Sequence, residues 1–470
     1  MKQAVLSWMY KLASVPRGSH HEESVSHLLK NEIEALGFSV VQDDALNIIA
    51  DIPATEGKEN APSVILQAHM DMVVAVREGE IFDPLSDTPV LYEDDGMLSS
   101  RGVTSIGADD GIGIALAMAF ITSDAPHGPI RLLFTVDEED GMTGATHIDE
   151  KWLDADYLVN LDWEEFGSVC NSCAGCRGYG ISSQPVYEEA PKNSTTLCIS
   201  ASGFRGGHSG ITIGEGRENA ILVLSRILLK LKEEKMDFRM VSMEGGSARN
   251  AIPSYASVYI STTEPADKVM AWINQFKNEV HNEKEAQIVV SCVNSADLVA
   301  SRDATEAFLQ FMYSVPNGVY SMSEVIGGLV ECSSNLGLVH CDADGWLIDI
   351  FARSSSYEKE AELEDEIKKT ADAFGWSLAL NQSAPGWPVN PDSKLLPKLL
   401  ASYKELFKED MKVEPVHAGL ECGWFVIKNK SLDCVSFGPT LHEVHTPNEA
   451  LDIDTAVKSF MLLKELLGRI

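Results

Sequence analysis

The sequence contains no uninterrupted apolar run close to the roughly 18 residues that a membrane-spanning helix needs. Residues 112–121 come nearest. It also lacks the pattern of a signal peptide, because the apolar stretch at residues 4–10 is short, is interrupted by Ser7 and is followed by Lys11. We therefore expect residues 4–10 to belong to a first helix that packs on a domain, and we expect no membrane partner.

Basic residues are scarce in this chain. It has 37 Lys and Arg against 71 Asp and Glu, which gives a net charge of −34. Such a field opposes nucleic-acid backbones and anionic membranes, so neither is expected as a partner. The field attracts divalent metal ions and cationic substrates, although acidity that serves only solubility is an alternative interpretation.

The nine cysteines show no spacing that requires a disulfide framework in a chain of 470 residues. A reducing cytoplasm is therefore the expected location. Cys170, Cys173 and Cys176 form a C-x2-C-x2-C pattern, but no fourth cysteine and no following proline completes an iron–sulfur motif. We interpret this spacing as a structural coincidence.

The chain is longer than the roughly 250–300 residues at which a single core stops growing, so more than one domain is expected. Its first third alternates helical and strand patterns, which is typical of an α/β domain with a mostly parallel sheet flanked by helices. We predict that residues 1–176 and 382–470 form this domain. Residues 177–381 lack clustered acids and alternate strands with amphipathic helices, which indicates an inserted α+β domain of two ferredoxin-like units.

Two local signals add detail to this prediction. The glycine-rich residues 175–180 are a candidate hinge between the domains. Ser19-His20-His21-Glu22 has the spacing of a capping box, which predicts that a helix begins there and continues to Gly37.

Acidic residues and histidines follow short apolar runs at five places along the chain. These are His69 with Asp71, Asp109 with Asp110, Glu138 with Glu139, Asp162, and His445. Open α/β sheets bind their ligands outside the carboxyl ends of their strands. Oxygen and imidazole donors that converge there can hold two divalent metals about 3.5–4 Å apart, so the sequence predicts a two-metal hydrolase.

Each cluster has its own interpretation. His69 and Asp71 are two residues apart and point to the same side of an extended chain. One of them can therefore bind metal while the other orients the imidazole. Asp109 and Asp110 precede a predicted helix, where a carboxylate either bridges metals or only caps the helix. Glu138 and Glu139 belong to a run of four acids, residues 137–140, whose charges repel one another unless cations neutralise them.

Several alternatives stay open at this point. The run at residues 137–140 is an exposed acidic loop in the competing interpretation, and His442 competes with His445 as the second imidazole. Oxygen ligands with two imidazoles suit zinc, cobalt or manganese better than calcium or magnesium. Cys422 would need a paired histidine such as His417 to act as a nucleophile, and a metal site makes that role unnecessary.

Three polar residues outside this set are also candidates. His208 lies in the glycine-flanked sequence Gly206-Gly207-His208-Ser209-Gly210, where it can donate to a developing oxyanion. Asn250 and Arg353 offer donors for a substrate carboxylate. The competing interpretation is a surface turn and a surface ion pair.

The ordered set of motifs resembles the aminoacylase-like family of two-zinc peptidases over nearly the whole chain, and within it the aminoacyl-histidine dipeptidase branch. The motifs that carry the resemblance are residues 67–73, 107–113, 138–142, 206–210, 249–253 and 417–423. Departures are conservative at Ala68 and Met70. Asp110 replaces a common asparagine, and Cys176 and Arg177 replace glycines.

The resemblance implies a zinc-peptidase-like fold whose inserted domain is a lid that binds substrate. It implies two Zn²⁺ ions, with Co²⁺ or Mn²⁺ as substitutes, and a cis peptide bond between Asp109 and Asp110. The implied roles are His69 and Asp162 for one zinc, Glu139 and His445 for the other, Asp109 as bridge, Asp71 to orient His69, Glu138 as general base, His208 for the tetrahedral intermediate, and Asn250, Arg353, Gly419 and Glu421 for the carboxyl end of the substrate.

The activity implied by the resemblance is hydrolysis of dipeptides, of the Xaa-His type or more broadly, by a water molecule activated at the two zinc ions. The alternatives are an N-acyl amino acid deacylase or an aminopeptidase on the same scaffold, and a non-catalytic metal- or peptide-binding protein. A monomer and a homodimer both stay open, because in related enzymes the histidine that corresponds to His208 can come from a partner subunit.

Overall fold

The computed structural model describes residues 1–276, 280, 283–324 and 326–470 of the chain. It divides into two compact units. The first unit comprises Met1–Cys173, Trp387–Pro415 and Leu420–Ile470, and the second comprises Ala174–Gly386 and Val416–Gly419. Within the described residues, no helix has the length and apolar character needed to span a membrane.

The first unit is built from helices and a mixed sheet. Its helices are α1 (Lys2–Leu12), α2 (Glu23–Ala35), α3 (Ala108–Ile121), α4 (Thr143–His147), α9 (Leu395–Phe407), α10 (Cys422–Lys428) and α11 (Ile453–Arg469). Its strands are β1 (Val40–Gln42), β2 (Ile48–Ile52), β3 (Val64–His69), β4 (Tyr92–Asp94), β5 (Met97–Ser99), β6 (Ile130–Thr135), β7 (Tyr157–Asn160), β8 (Ser168–Val169), β22 (Lys412–Val413), β23 (Asp433–Ser436), β24 (Leu441–His442) and β25 (Ala450–Asp452).

Six of these strands form the main sheet in the order β1-β2-β6-β3-β7-β23. The neighbours β6, β3, β7 and β23 are parallel, whereas β2 pairs in antiparallel orientation with both β6 and the edge strand β1. All residues of the central strand β3 are buried, as expected for a parallel strand covered on both faces. The α/β prediction is confirmed, and the carboxyl ends of the four parallel neighbours lie at one edge of the sheet.

The apolar helix α3 is buried along nearly its whole length, as its composition predicts. It packs against α1, α11 and strand β3. The capping-box interpretation of Ser19 is wrong, because α2 begins only at Glu23 and the hydroxyl of Ser19 donates to Asp71 instead. A hydroxyl group that donates to a carboxylate distant in the sequence does not cap its own helix.

The second unit has four helices among its described residues and a large antiparallel sheet. The helices are α5 (Ala220–Glu233), α6 (Ala266–Phe276), α7 (Arg302–Ser314) and α8 (Tyr357–Ala373). The strands are β9 (Gly175–Ser183), β10 (Tyr187–Glu189), β11 (Thr195–Ser202), β12 (Gly207–His208), β13 (Phe238–Gly245), β14 (Ala251–Ile252), β15 (Ala256–Thr262), β16 (Gln287–Val293), β17 (Leu298–Ala300), β18 (Gly318–Met322), β19 (Val330–Asp342), β20 (Gly345–Ser354) and β21 (Ser377–Ala384).

Two βαββαβ units can be traced in this sheet, whose order is β16-β11-β15-β13-β19-β20-β9-β21. One unit runs β11-α5-β13-β15-α6-β16, and the other runs β9-α7-β19-β20-α8-β21. In each, the first strand lies between the third and the fourth. The second strands, β13 and β19, pair with each other and join the units into one sheet. The βαββαβ unit that begins with β11 is inserted in the chain between β9 and α7 of the βαββαβ unit that begins with β9.

The predicted domain limits, 176/177 and 381/382, fall inside strands β9 and β21. The glycine-rich residues 175–180 therefore form part of a strand and are not a hinge. A side chain at Gly175 would collide with the backbone of Ala384 and Gly386, so glycine serves close packing of neighbouring chain segments there. Composition alone cannot distinguish such a packing glycine from a flexible one.

Candidate metal centre

Most of the predicted metal ligands lie at the carboxyl edge of the parallel strands. His69 is the last residue of β3, Glu139 follows β6 and Asp162 follows β7. His445 comes after β23, and Asp109 lies at the entry of α3. Because β6, β3, β7 and β23 are parallel neighbours, their carboxyl ends meet at one edge and bring residues from distant parts of the sequence together.

Asp109 lies between two pairs of side chains. Its Oδ1 is 3.1 Å from Nε2 of His69, which is itself 3.5 Å from Oδ1 of Asp162. Its Oδ2 is 3.1 Å from Nε2 of His445, which is 2.9 Å from Oε1 of Glu139. Each carboxylate oxygen of Asp109 thus faces a different histidine and acid, which is the arrangement that a ligand bridging two cations requires.

The chemistry of this donor set fits two divalent cations. Two imidazoles and three carboxylates suit zinc, manganese or cobalt. The side chains of Asp109, Glu139 and Asp162 are all less than one tenth exposed. Of the two competing histidines, His445 is the one whose Nε2 contacts Asp109 and Glu139, whereas His442 lies in strand β24 and pairs with Ala450 of β25. The peptide bond between Asp109 and Asp110 is cis.

The carboxylates of the cluster are buried close to one another, and this shifts several pKa values. Burial raises the pKa of Asp162 well above its usual range. Burial likewise raises the pKa of Glu138, and the nearby charges of Asp162 and Glu421 add to the shift. Hydrogen bonds to Asp109 and Glu139 raise the pKa of His445 to about 11. Bound cations would neutralise these crowded carboxylates.

Asp71 connects a ligand to the loop that carries Glu138. Its Oδ1 is 3.3 Å from Nδ1 of His69 and accepts the main-chain N–H of Glu138 at 3.0 Å. Its Oδ2 accepts the N–H of Glu139 at 3.2 Å and the hydroxyl of Ser19 at 2.9 Å. Burial opposes ionisation of Asp71, but the interactions with His69 and these donors lower its pKa to about 2. Asp71 is therefore a charged, fully buried support for His69.

The segment between α1 and α2 takes part in the site, which the sequence interpretation missed. Ser19 binds Asp71, as above. Glu22 accepts the N–H of Asp137 at 2.9 Å, and His20 lies 2.8 Å from Asp140. This segment therefore supports the acidic loop at residues 137–140. The only sequence signal was the polar spacing that we interpreted as a helix cap.

Glu421 does not occupy the position that the resemblance implies for a substrate contact. Its side chain is fully buried. Its Oε2 accepts Nε2 of Gln67 at 2.6 Å and the hydroxyl of Thr135 at 2.7 Å, beneath the ends of β3 and β6. Burial raises its pKa to about 7. Through Oε2, Glu421 therefore supports the ends of β3 and β6.

The remaining substrate candidates belong to the second unit. His208 lies in β12, which pairs with β14 in the register His208 to Ala251, so the motifs at residues 206–210 and 249–253 form one small ribbon. The side chain of Asn250 is exposed beside this ribbon. Gly419 is exposed as well, in the segment Val416–Gly419.

Both ring nitrogens of His208 face hydrogen-bond donors. Its Nδ1 is 3.3 Å from the main-chain nitrogen of Gly210 and 3.2 Å from that of Ile211. Its Nε2 is 3.2 Å from Nη2 of Arg353, which as part of a guanidinium can only donate. Burial and the charge of Arg353 lower the pKa of His208. A neutral imidazole accepts at only one of its nitrogens, so the two polar side chains His208 and Arg353 are adjacent but their contacts do not fix the tautomer.

The cysteine hypotheses are resolved by burial. All nine cysteines are free. Cys422 is fully buried, and burial raises the pKa of its thiol well above the usual range. Nε2 of His417 lies 2.8 Å from the hydroxyl of Ser333, and burial lowers the pKa of His417 to about 3. A neutral, buried thiol is not a nucleophile. The groups of potential metal ligands found among the described residues contain no cysteine.

The sheet and the donors at its carboxyl edge define an α/β metal-dependent hydrolase. The model of peptidase family M20/M25/M40 matches residues 65–469. The chain belongs to this family and is a metallopeptidase, so the predicted resemblance is confirmed.

Individual relatives agree with this assignment. The chain is 33% identical over 470 residues to the cytosol non-specific dipeptidase of Escherichia coli, covering 98% of this chain and 96% of that protein. The crystal structure of aminoacylhistidine dipeptidase from Vibrio alginolyticus is similar, with a TM-score of 0.93, 32% identity, and coverage of 99% of this chain and 96% of that one. Aminopeptidase PepT from Bacillus cereus, at 16% identity and a TM-score of 0.57 over 100% of this chain and 98% of that one, shares the fold.

Proposed function

We propose that this metallopeptidase is a two-zinc dipeptidase that hydrolyses the single peptide bond of dipeptides, Xaa-His dipeptides among them. The observation that carries the two-metal proposal is the position of Asp109, whose two oxygens face His69 and His445 respectively. The dipeptide proposal is supported by the two relatives that match nearly the whole chain, since both are named as dipeptidases. Co²⁺ or Mn²⁺ would suit the same donors.

His69 and Asp162 would hold one ion, His445 and Glu139 the other, and Asp109 would contact both. When bound, two such ions lower the pKa of a water molecule and polarise the scissile carbonyl. Oε1 of Glu139 contacts His445 at 2.9 Å, and the neighbouring Glu138 would take the proton of the attacking water. The raised pKa of Glu138 suits a group that must then give this proton to the leaving amine.

His208 and Arg353 would supply the donors for substrate oxygens. The two side chains are adjacent, with Nη2 of Arg353 3.2 Å from Nε2 of His208. We propose that His208 donates to the oxyanion that develops during attack, and that Arg353 binds the substrate carboxylate. Asn250 and Gly419, both exposed, would contribute further contacts to the carboxyl end.

A substrate panel tests the dipeptidase proposal. Metal-free, zinc-loaded and Glu138→Ala proteins are assayed with β-Ala-His, Gly-His, Leu-Leu and an N-acetyl amino acid. The proposal predicts zinc-restored cleavage of dipeptides that is lost in Glu138→Ala. Deacylation of the acetyl compound with no dipeptide cleavage would instead make the protein a deacylase. Bound zinc with no hydrolysis of any compound would favour a binding protein.

We also propose a cytoplasmic location, which the nine free cysteines and the name of the Escherichia coli relative support. The net charge of −34 argues against nucleic acid and anionic membranes as partners. A homodimer stays a proposal that sedimentation of the purified protein would test.

A further inference from the structure

The loop that brings Asp109 to the metal centre is bound by the carboxylate of Glu449. This side chain is only 2% exposed. Its oxygens accept four consecutive main-chain N–H groups, from Ile106 at 2.7 Å, Gly107 at 3.0 Å, Ala108 at 2.7 Å and Asp109 at 3.3 Å. A single carboxylate thus fixes the backbone of the loop up to the bridging aspartate itself.

Arg17 binds the same loop through its carbonyl groups. Arg17 as a whole is 2% exposed. Nη1 donates to the carbonyl of Met70 at 2.9 Å and to that of Asp71 at 3.2 Å, and Nη2 donates to the carbonyl of Gly107. Arg17 therefore connects the end of strand β3, which carries His69, with the loop that carries Asp109.

Two glycines make room for this guanidinium. Gly107 has a φ of 63°, and a Cβ atom there would overlap with the guanidinium of Arg17. A Cβ atom at Gly111, in the first turn of α3, would also overlap with it. The entry of the helix is therefore shaped around Arg17, and the arginine is an integral part of the loop geometry.

The buried charges of Arg17 and Glu449 compensate each other. Burial lowers the pKa of Arg17, and the carboxylates of Glu449 and Asp71 oppose this effect. Burying an unpaired charge is costly, so neither residue is readily kept without the other. Both charged side chains contact the main chain next to or at the proposed ligands His69 and Asp109. Polar contacts of this kind orient metal ligands and affect metal affinity.

We propose that Arg17 and Glu449 are positioning residues that hold Asp109 at a fixed place relative to His69, and that they thereby determine how tightly the centre binds its metal ions. Arg17 joins the two loops, and Glu449 fixes the backbone of one of them. This inference rests on the proposed two-metal function, since it assigns the determinants of metal affinity at the same site.

The experiment measures zinc binding to metal-free protein by competition with a chromogenic chelator. The variants are Glu449→Gln, which keeps the shape but replaces one acceptor by a donor, and Arg17→Lys, which keeps the charge but loses the fork of donors. We expect zinc affinity to fall about tenfold to hundredfold in each variant. The rise in thermal midpoint that zinc produces should shrink, while circular dichroism of the metal-free variants should match that of the unmodified protein.

Two matched controls lie away from the strand ends that carry the ligands. Asp433 is also a buried carboxylate that accepts main-chain N–H groups, from Lys394 at 2.7 Å and Leu395 at 2.9 Å. Arg131 also donates to main-chain carbonyls, with Nη1 3.0 Å from the oxygen of Trp152. The variants Asp433→Asn and Arg131→Lys should change thermal stability without changing zinc affinity.

Unchanged zinc affinity in folded Glu449→Gln and Arg17→Lys would overturn the inference. So would failure of both variants to fold without metal, because the two residues would then serve the fold as a whole. If the unmodified protein itself binds no zinc, the proposed function fails, and this inference fails with it. That result is distinguishable from the others because it does not depend on the variants.

Discussion

The carboxylate of Asp71 accepts the main-chain N–H of Glu138 at 3.0 Å. The same side chain lies 3.3 Å from Nδ1 of His69. A single buried aspartate therefore orients a proposed metal ligand and the loop of the proposed general base. Changes at this position should affect metal binding and catalysis together.

The variant Asp71→Asn tests this coupling. Asparagine can accept only at its carbonyl oxygen, so its amide group would oppose either His69 or one of the two main-chain N–H groups. We expect zinc affinity to fall about tenfold to hundredfold and kcat to fall in zinc-saturated protein as well. The measurements are chelator competition and dipeptide hydrolysis.

Asp156→Asn is the matched control, because Asp156 also accepts a main-chain N–H and a hydroxyl, both from Ser63, at 2.8 and 2.9 Å. It should leave zinc affinity and kcat unchanged. An Asp71→Asn protein with normal zinc affinity and normal kcat would contradict the role given to Asp71.

Arg353 is expected to act on substrate binding. Lysine at this position keeps the charge but cannot bind a carboxylate with two parallel N–H groups. Loss of a charge-assisted hydrogen bond, worth about 1.5–3 kcal/mol, should raise KM for a dipeptide about tenfold or more in Arg353→Lys and leave zinc content unchanged.

Arg177 provides the comparison for this variant, because it lies opposite Ala352 on the neighbouring strand and binds Glu360 at 3.1 Å. The variant Arg177→Lys should keep KM within about twofold, as is usual for a change away from the site. Equal KM values for Arg353→Lys and the unmodified protein would exclude a carboxylate contact.

Glu421 should make the stability of the metal-free protein depend on pH. Burial raises its pKa from 4.5 to about 7, so the folded state favours the protonated carboxyl group. The stabilisation from the raised pKa is complete below about pH 4.5 and is lost as pH rises through about 7, at up to about 1.4 kcal/mol per pH unit.

The variant Glu421→Gln removes this titration while its amide oxygen still accepts from Gln67 and Thr135. The thermal midpoint of Glu421→Gln minus that of the unmodified protein should therefore be larger at pH 8 than at pH 5. The exposed Glu409 gives the control, and Glu409→Gln should show no such difference between the two pH values. If the difference in thermal midpoint between Glu421→Gln and the unmodified protein is the same at pH 5 and pH 8, the raised pKa of Glu421 is contradicted.

The positions of three proposed ligands near one another were predictable because short apolar runs precede them. These runs lie in strands β3, β6 and β7 and come just before His69, the acids at 137–140 and Asp162. Apolar runs can be recognised from the sequence because they involve only neighbouring residues. The choice of His445 instead of His442 needed the resemblance to a family, because the two histidines are three residues apart and have the same chemistry.

The supports of the site were not predictable. Arg17 and Glu449 are separated by most of the chain, and their importance comes from burial and from contacts with main-chain atoms, which no spacing records. Glu421 was placed at the substrate for the same reason, since a motif does not reveal whether its carboxylate is exposed. Gly175 was interpreted as flexible, whereas it permits close packing of a strand.

The most direct test of the account is a zinc titration of metal-free protein followed by dipeptide hydrolysis, with Glu138→Gln and Asp140→Asn treated in parallel. Asp140 is the exposed neighbour in the same acidic loop. Activity should reach its maximum when two zinc ions are bound per chain. Glu138→Gln should bind the same two ions but hydrolyse about 10²–10⁴-fold more slowly, while Asp140→Asn stays active. Full activity in metal-free protein, or in Glu138→Gln, would contradict the account.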